Sequence, residues 1–278
     1  AGHELFVHDR RRAAAATLLQ DGATWCVSPA MVAYKADIIL LSLPSHREVE
    51  SVCFGPQGLF TAIRPGTYLL DLSTVSVTLI PKLVDAQRTY GIHYLTSPVS
   101  QGTDSARAGK LSVFVGGDPY EVEQCRPVYE AFARSIIHTG DHFSAMAAKL
   151  VTNLLWYIHA AAIGEALVIG AKAGIELPVL QQAILHSCGT SWVAEHDIPS
   201  IYDGSFDPTF TLQLCVKDLQ LISELAALMH VPIELGAIVE QIFRRAENRF
   251  GSGAPELSVV RHLQELTRTP LQTPEVIS

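Results

Sequence analysis

Short apolar runs alternate with longer amphipathic segments along the first half of the chain. The run Ile38-Ile39-Leu40-Leu41 is apolar on both faces, which is typical of a strand covered by helices on each side of a sheet. Strand and helix in alternation predict a parallel α/β sheet. The predicted strands are Glu4–Asp9, Ala23–Val27, Asp37–Leu43, Thr67–Leu72, Ile92–Thr96 and Leu111–Val115, and the predicted helices are Arg10–Gln20, Pro29–Lys35, Ser76–Tyr90 and Pro119–Ala133.

The pattern changes at about Ser144. From there the β-rich runs stop, and long helical patterns follow that are interrupted by single glycines and prolines. The sequence therefore predicts two domains, a sheet domain over residues 1–143 and an all-helical domain over residues 144–278, joined by a long helix.

The start of the chain does not match the usual order of a nucleotide-binding sheet, which begins with a strand and a glycine-rich turn. The first predicted strand ends in Asp9 and has the character of a second strand. We therefore expect a Rossmann-like domain whose first strand and G-x-G-x-x-G turn are absent, leaving a gap in the sheet. Asp9 either holds a ribose diol or caps the helix near Arg10, and the local sequence does not decide.

Polar side chains recur once per turn within the most apolar stretch of the chain. Lys149 and Asn153 lie four residues apart, and Tyr157 follows after another four, so a helix places all three on one face. A lysine in a partly desolvated cleft can act as a general acid or base, and a neighbouring amide can orient a substrate hydroxyl. The alternative is a lysine that extends into solvent beside an asparagine bonded to backbone.

Composition excludes several classes of function. Twenty basic and 28 acidic residues give a net charge of −8, which argues against a nucleic-acid partner. Five scattered cysteines without C-x-x-C spacing indicate reduced thiols in a cytoplasmic protein. Polar residues interrupt the most apolar stretch, so we expect no membrane span. His138 and His142 are four apart, but Gly140 and Asp141 between them predict a turn, and we expect no metal site.

Three further motifs accompany the lysine and asparagine. Asp71-Leu72-Ser73-Thr74 closes a predicted strand, and Ser97-Pro98-Val99-Ser100-Gln101-Gly102 follows the next one. Hydroxyls and backbone N–H groups at the carboxyl edge of such a sheet suit a substrate carboxylate. Phe210 and Lys217-Asp218 add an aromatic ring and a cation from the second half. Each motif alone indicates only a turn or a helix surface.

Taken in order and spacing, these motifs resemble those of the β-hydroxyacid dehydrogenases, over residues 1 to about 265. The D-x-S-T, P-V-S-G-G, K-x-x-N-N and K-D-L segments of that family match here, with Gln101 in place of a glycine and Thr152 in place of the first asparagine. The resemblance implies catalytic Lys149 and Asn153, substrate contacts Ser73, Ser100 and Gly102, and cofactor contacts Asp9, Arg10, Leu43, Pro44, Thr74, Phe210 and Lys217.

The resemblance implies an oxidoreductase that transfers a hydride between a nicotinamide cofactor and a small 3-hydroxy acid or semialdehyde. Asp9 favours NAD by repelling a 2′-phosphate, although the arginines at 10, 11 and 12 leave NADP possible. The apolar helical half predicts a homodimer or homotetramer. The alternative is a family member without catalysis or without cofactor that serves as an oligomerisation or binding module.

Overall fold

The computed structural model describes residues 2–272 and divides into two compact units, Ala1–Lys149 and Leu150–Ser278. The predicted domain boundary between residues 143 and 144 falls in the first turn of helix α7, which begins at His142 and continues across it. The boundary itself stays a prediction. Residues 273–278 of the predicted helical domain lie outside the described residues.

The first unit contains eight strands. They are β1 (Phe6–Val7), β2 (Thr24–Trp25), β3 (Ile38–Leu41), β4 (Tyr68–Asp71), β5 (His93–Thr96), β6 (Val99–Ser100), β7 (Leu111–Gly116) and β8 (Ala133–Gly140). The helices of this unit are α1 (Ala16–Gln20), α2 (Pro29–Lys35), α3 (His46–Phe54), α4 (Ile80–Tyr90), α5 (Gly102–Arg107) and α6 (Pro119–Glu130), with 3₁₀ turns at Arg12–Ala15 and Leu59–Thr61.

The strands form two sheets instead of the single parallel sheet that the alternation predicts. β1 pairs in parallel with β2 only, and β3, β4 and β5 form a separate parallel sheet. Among residues 2–272, β1 and β3 do not pair with each other. β7 runs antiparallel to β5 and β6 and parallel to β8, so the larger sheet is mixed. The prediction of an all-parallel sheet is wrong at β6 and β7.

Apolar side chains from the larger sheet and α6 form the core that fixes this sheet. Leu70, Leu95, Val113 and Val115 on the strands pack with Tyr129 of α6, and each is buried. Burying a side chain of this size contributes roughly 1.5–3 kcal/mol relative to leaving it exposed. This packing holds the carboxyl ends of β3, β4 and β5 in one row.

Two glycines allow the start of α7 to approach β7. A Cβ atom on Gly116 would lie 2.1 Å from the carbonyl oxygen of Asp141, and one on Gly117 would lie 2.5 Å from Cδ2 of Leu95. The Asp141 side chain accepts a hydrogen bond from the Ser144 N–H at 2.8 Å, which caps the first turn of α7. The helix therefore begins in direct contact with the sheet.

The second unit is all-helical in the part of the chain that the structure describes. After α7 (His142–Lys172) it contains α8 (Leu177–Leu185), α9 (Trp192–His196), α10 (Ile198–Tyr202), α11 (Leu212–Leu228), α12 (Glu234–Phe250) and α13 (Ser258–Thr267). Small residues of α7 let its neighbours approach, since Cβ atoms on Gly164 and Gly170 would lie 3.0 Å from Val260 and 2.4 Å from Leu180.

Helix α7 is 31 residues long and is apolar enough, by length and composition alone, to cross a membrane. The expectation that this stretch does not span a membrane stays a prediction. The core helix of a globular protein meets the same criteria of length and composition equally well, and this helix packs against α8, α12 and α13 through residues such as Gly170, Tyr157 and Gly164. Those contacts are the ones expected of a core helix.

Candidate active site

The loops at the carboxyl ends of β3 and β4 are joined by a hydrogen bond. The backbone N–H of Leu43 donates to Ser73 Oγ at 3.0 Å, and the N–H of Leu72 donates to the Leu41 carbonyl at 2.8 Å. Ligands of open α/β sheets bind outside this edge. The structure thus brings together the predicted residues Leu43 and Ser73, with Pro44 and Thr74 next to them in the chain.

Asp71, the last residue of β4, lies beneath this junction and is fully buried. Its Oδ1 atom accepts a hydrogen bond from the Ser73 N–H at 3.0 Å. No group among residues 2–272 donates a hydrogen bond to its Oδ2 atom. Burial raises the pKa of Asp71 to about 6, and interaction with Ser73 opposes this rise. The sequence had indicated Asp71 only as the end of a strand.

Ser73 is only 3% exposed. Because its hydroxyl accepts from the Leu43 N–H and its own N–H donates to Asp71, its observed role is to link two loops. Its predicted contact with the substrate stays a prediction.

The segment from Ser100 to Gly102 reverses direction through two left-handed residues. Ser100 ends β6 opposite Ser112 of β7. Gln101 has φ of +84° and Gly102 has φ of +71°. A non-glycine residue in this region carries a cost of roughly 1–2 kcal/mol, so Gln101 occupies a position that favours the glycine expected from the resemblance. The exposed Gln101 side chain stands beside the predicted carboxylate contacts Ser100 and Gly102.

Asp9 and Arg10 follow β1 and are both exposed. Asp9 Oδ1 accepts a hydrogen bond from the Arg11 N–H at 2.6 Å, while the 3₁₀ turn at Arg12 has no side-chain cap. Asp9 therefore stabilises the turn before the helix and does not cap the helix itself. The Arg12 guanidinium lies over the Trp25 ring, 5.7 Å from its centroid. This cation–π contact holds one of the three arginine side chains in place.

His142 ties the first turn of α7 to β5. Its ring stacks on Tyr94 at 5.1 Å between ring centroids, and its Nδ1 atom lies 3.4 Å from Thr96 Oγ1. Burial lowers the pKa of His142, so the ring is neutral near pH 7. Lys149 lies two turns further along the same face of α7 and is buried. It does not extend into solvent as the alternative interpretation of the sequence required.

A buried carboxylate in the second unit gathers three polar side chains. Asp218 Oδ2 accepts hydrogen bonds from Asn153 Nδ2 at 2.8 Å and from the Tyr157 hydroxyl at 3.2 Å. Lys217 Nζ lies 2.9 Å from Asp218 Oδ1. Burial, followed by the charge of Asp218, raises the pKa of Tyr157 well above its usual value, so the phenol keeps its proton. We call Asn153, Tyr157, Lys217 and Asp218 the Asp218 cluster.

The sequence interpretation missed Asp218 as the centre of this cluster. It treated the residue as part of the K-D-L motif and assigned a role only to Lys217. A signal was present, because Asp218 lies on the apolar face of α11 between the buried Cys215 and Ile222. A carboxylate at such a position needs hydrogen-bonding partners.

Phe210 precedes α11 and is half-buried. Its carbonyl accepts a hydrogen bond from the Glu256 N–H at 3.1 Å, and the next residue, Thr211, forms a β-bridge with Pro255. The structure thus fixes the backbone of Phe210, and its predicted cofactor contact stays a prediction.

Within the described ranges, no group of three or more His, Cys, Asp and Glu side chains could hold a metal ion. The His138 Nε2 atom lies 3.1 Å from the carbonyl oxygens of Gly117 and Gly140. His142 instead contacts Tyr94 and Thr96. All five cysteines are free, and only Cys188 is exposed.

An apolar cavity of about 370 Å³ opens in the second unit. It is lined by residues of α7, α12 and α13 that include Gly164, Val259 and Val260. None of the predicted site residues lines it, so we assign no substrate to it.

Comparison with known families matches nearly the whole chain. Residues 1–140 match the NAD binding domain of 6-phosphogluconate dehydrogenase. Residues 144–263 match the NAD-binding family of NADP-dependent 3-hydroxyisobutyrate dehydrogenase.

Individual relatives cover most of the chain. It is 35% identical to 2-(hydroxymethyl)glutarate dehydrogenase of Eubacterium barkeri, over 93% of this chain and 86% of that protein. It is 31% identical to NAD-dependent L-serine dehydrogenase of Pseudomonas aeruginosa, over 96% of this chain and 92% of that protein. The structure of Mycobacterium tuberculosis 3-hydroxyisobutyrate dehydrogenase with L-serine superposes with a TM-score of 0.84 at 29% identity, over 95% of this chain and 91% of that one.

We predict that Asp71→Asn stabilises the fold at neutral pH. The folded-state pKa of about 6 lies above the ordinary aspartate pKa of 3.8, so the stability that the protonated carboxyl contributes is lost as pH rises through about 6. Asparagine cannot ionise, and the variant should gain up to about 3 kcal/mol in the free energy of unfolding at pH 7, less any hydrogen bonding lost to Ser73. Urea unfolding of the wild type and the variant, below and above pH 6, measures the difference in their free energies of unfolding.

The exposed Asp104→Asn serves as a control and should change stability by less than about 0.5 kcal/mol. An Asp71→Asn variant that is less stable at pH 7, with the same pH dependence as the wild type, would contradict the burial account.

Proposed function

Since this chain belongs to the β-hydroxyacid dehydrogenase family of NAD(P)-dependent enzymes acting on CH–OH groups, we propose that it transfers a hydride between a nicotinamide and a small 3-hydroxy acid or its semialdehyde. The observation that supports this most is on α7. A buried lysine, Lys149, stands one turn before Asn153, and the Asn153 amide is held by the buried carboxylate of Asp218.

The first unit fits part of a dinucleotide. The exposed carboxylate of Asp9 after β1 suits a ribose diol. The joined loops of Leu43-Pro44 and Ser73-Thr74 lie at the edge where such ligands bind. Bound there, the nicotinamide would supply the hydride carrier. We propose Asp9, Arg10, Leu43, Pro44 and Thr74 as its contacts, and Phe210 and Lys217 as further contacts on the family resemblance alone.

Lys149 handles the proton in this proposal. Its neutral amine takes the substrate hydroxyl proton during oxidation, and the ammonium so formed returns a proton during reduction. The amide nitrogen of Asn153 carries two N–H groups, and one of them donates to Asp218. This bond fixes the plane of the amide, so the side chain can hold the same substrate oxygen in one orientation.

We propose Ser100 and Gly102 as the contacts of the substrate carboxylate. Ser100 offers a hydroxyl, and the left-handed backbone at Gly102 lets successive N–H groups point the same way. Ser73 was predicted as a third contact of the substrate carboxylate. Its hydrogen bond from the Leu43 N–H supports a different role, which is to hold the loop after β3 in place.

Three of the relatives share one substrate class, whereas L-threonate, named for other relatives, is a hydroxy acid outside it. 2-(Hydroxymethyl)glutarate, L-serine and 3-hydroxyisobutyrate all contain the group HOCH₂–CH(R)–COO⁻ and differ in R. We propose this group as the substrate class here, with the exposed Gln101 beside the carboxylate contacts as a determinant of R. Oxidation of the three acids with NAD, followed by absorbance of the reduced nicotinamide, tests the class. Turnover of none of the three would overturn it.

A non-catalytic binding module is the alternative function. The buried Lys149 and the hydrogen bonds of Asn153 and Tyr157 to Asp218 favour catalysis over it, because a buried polar cluster that served no reaction would only cost stability. We also propose a cytoplasmic location from the five free cysteines, which cell fractionation tests.

We predict that Lys149→Ala lowers kcat by about 10² to 10⁴, the usual contribution of a positioned acid or base. Steady-state turnover with the best acid of the panel measures the loss. Lys172→Ala, at the exposed end of the same helix, is the control and should keep wild-type turnover. Near-normal turnover of folded Lys149→Ala would remove Lys149 from the mechanism.

We predict that NAD binds more tightly than NADP. Repulsion between Asp9 and a 2′-phosphate about 4 Å away costs about 1 kcal/mol in water and more in a partly screened site. Asp9→Asn should therefore gain NADP affinity, whereas Asp21→Asn, also exposed in this unit, should not. Fluorescence titration of both cofactors measures the affinities. Tighter NADP binding by the wild type would contradict the role of Asp9.

We predict a homodimer or homotetramer joined through the helical unit. Val151, Leu155 and Ile169 are more than half exposed on one face of α7, and apolar faces of this kind mark interfaces. Light scattering should give a multiple of the 30.2 kDa chain mass, and Leu155→Glu should lower it. A wild-type monomer at micromolar concentration would refute the assembly.

A further inference from the structure

Asp71 is a buried ionisable residue of the first unit that the proposed mechanism does not use. It ends β4, and its neighbours in register are Leu41 of β3 and Thr96 of β5. All three side chains therefore point to the same face of the sheet. The carboxyl group lies directly below the loops that carry Leu43 and Ser73.

A chain of hydrogen bonds leads from this carboxyl group to the loop after β3. Asp71 Oδ1 accepts from the Ser73 N–H at 3.0 Å. Ser73 Oγ in turn accepts from the Leu43 N–H at 3.0 Å. An N–H bond to an ionised carboxylate is stronger than one to a neutral acceptor, so the charge of Asp71 fixes the backbone of Ser73 and with it the position of the Ser73 hydroxyl.

The surroundings of Asp71 do not compensate its charge. Cys53 of α3 and Tyr94 of β5 face it, and its charge raises the pKa of both groups, which burial already raises. His142 of α7 stacks on Tyr94, and burial lowers its pKa. Oδ2 of Asp71 has no hydrogen-bond partner within residues 2–272. A carboxylate kept in this position costs stability, which indicates a role other than stabilising the fold.

We propose that Asp71 is a positioning residue, whose carboxylate orients Ser73 so that the Ser73 hydroxyl holds Leu43 and fixes the two loops proposed to carry the nicotinamide. This inference rests on the proposed function, because the two loops are proposed to bind the nicotinamide. The hydrogen bonds between Asp71, Ser73 and Leu43 can be measured without turnover.

Hydrogen exchange of the Leu43 amide reports directly on the last bond of the chain. The Leu72 amide donates to the Leu41 carbonyl across the same two strands. It lies outside the hydrogen bonds that link Asp71 to Leu43 and therefore serves as an internal reference. Ser73→Ala removes the acceptor of Leu43, and we expect the Leu43 protection factor to fall by about tenfold, the worth of one hydrogen bond. The protection of Leu72 should not change.

Asp71→Asn tests the carboxylate with a side chain of the same shape. In the wild type, we expect Leu43 protection to fall as the pH is lowered through about 6, where the carboxylate takes up a proton. In the variant, protection should stay at the low value on both sides of that pH. Because the Asp71→Asn variant keeps His142, titration of His142 cannot then explain the pH-dependent change in Leu43 protection of the wild type. Glu121→Gln, which alters a largely buried carboxyl paired with His93 at the opposite end of β5, is the matched control and should keep the wild-type step.

The dissociation constant for NAD completes the test. It should rise by about tenfold in Ser73→Ala and in Asp71→Asn above pH 6, and stay unchanged in Glu121→Gln. Wild-type protection of Leu43 in Asp71→Asn at every pH would overturn the proposal, and so would lost protection with unchanged NAD affinity. Failure of the enzyme to oxidise any hydroxy acid would instead refute the proposed function, because the exchange of the Leu43 amide is independent of turnover.

Discussion

The continuity of α7 is the constraint on which the candidate site depends. This helix runs for 31 residues from the first compact unit into the second. Its first turn is fixed to the sheet through Gly116, Gly117 and His142. Because a helix advances by a fixed 1.5 Å per residue, the four residues between Lys149 and Asn153 correspond to about one turn along its axis. A kink or a break between them would separate the proposed proton donor from the amide that orients the substrate.

Two buried carboxylates organise the polar side chains of the site, and they do so differently. Asp218 is compensated, because Asn153, Tyr157 and Lys217 all contact it. Asp71 has hydrogen bonds from Ser73 only, and burial raises its pKa. Removing a partner from a compensated buried charge is strongly destabilising, whereas neutralising an uncompensated one stabilises the fold. We therefore expect changes at Asp218 to affect folding and changes at Asp71 to affect loop position.

The sequence predicted those elements whose pattern is local. α2 was predicted with the observed bounds, and the strands at β3, β4, β5 and β7 were placed within a few residues. β6 was missed because it has two residues and is defined only by its pairing with β7. α3 was missed because it is largely polar, although Ser45 and Glu48 form a capping box that marks its start.

The sequence motifs predicted candidate residues of the site but not the contacts between residues that are distant in the chain. The stripe on α7 showed that Lys149 and Asn153 share a face, but their partners come from elsewhere in the chain. Asp218 is 65 residues from Asn153, and Ser73 is 30 residues from Leu43. No local pattern encodes such pairings. The sequence therefore indicated which residues carry the chemistry, and the structure was needed to find Asp71 and Asp218, which hold them.

The most direct test of this account is a crystal structure of the protein with NAD and an acid of the type HOCH₂–CH(R)–COO⁻. The account predicts that Lys149 Nζ and the Asn153 amide both lie within hydrogen-bond distance, about 3 Å, of the substrate hydroxyl oxygen. It also predicts that the Asn153 amide keeps its bond to Asp218. A bound substrate whose hydroxyl contacts neither Lys149 nor Asn153 would contradict the central claim.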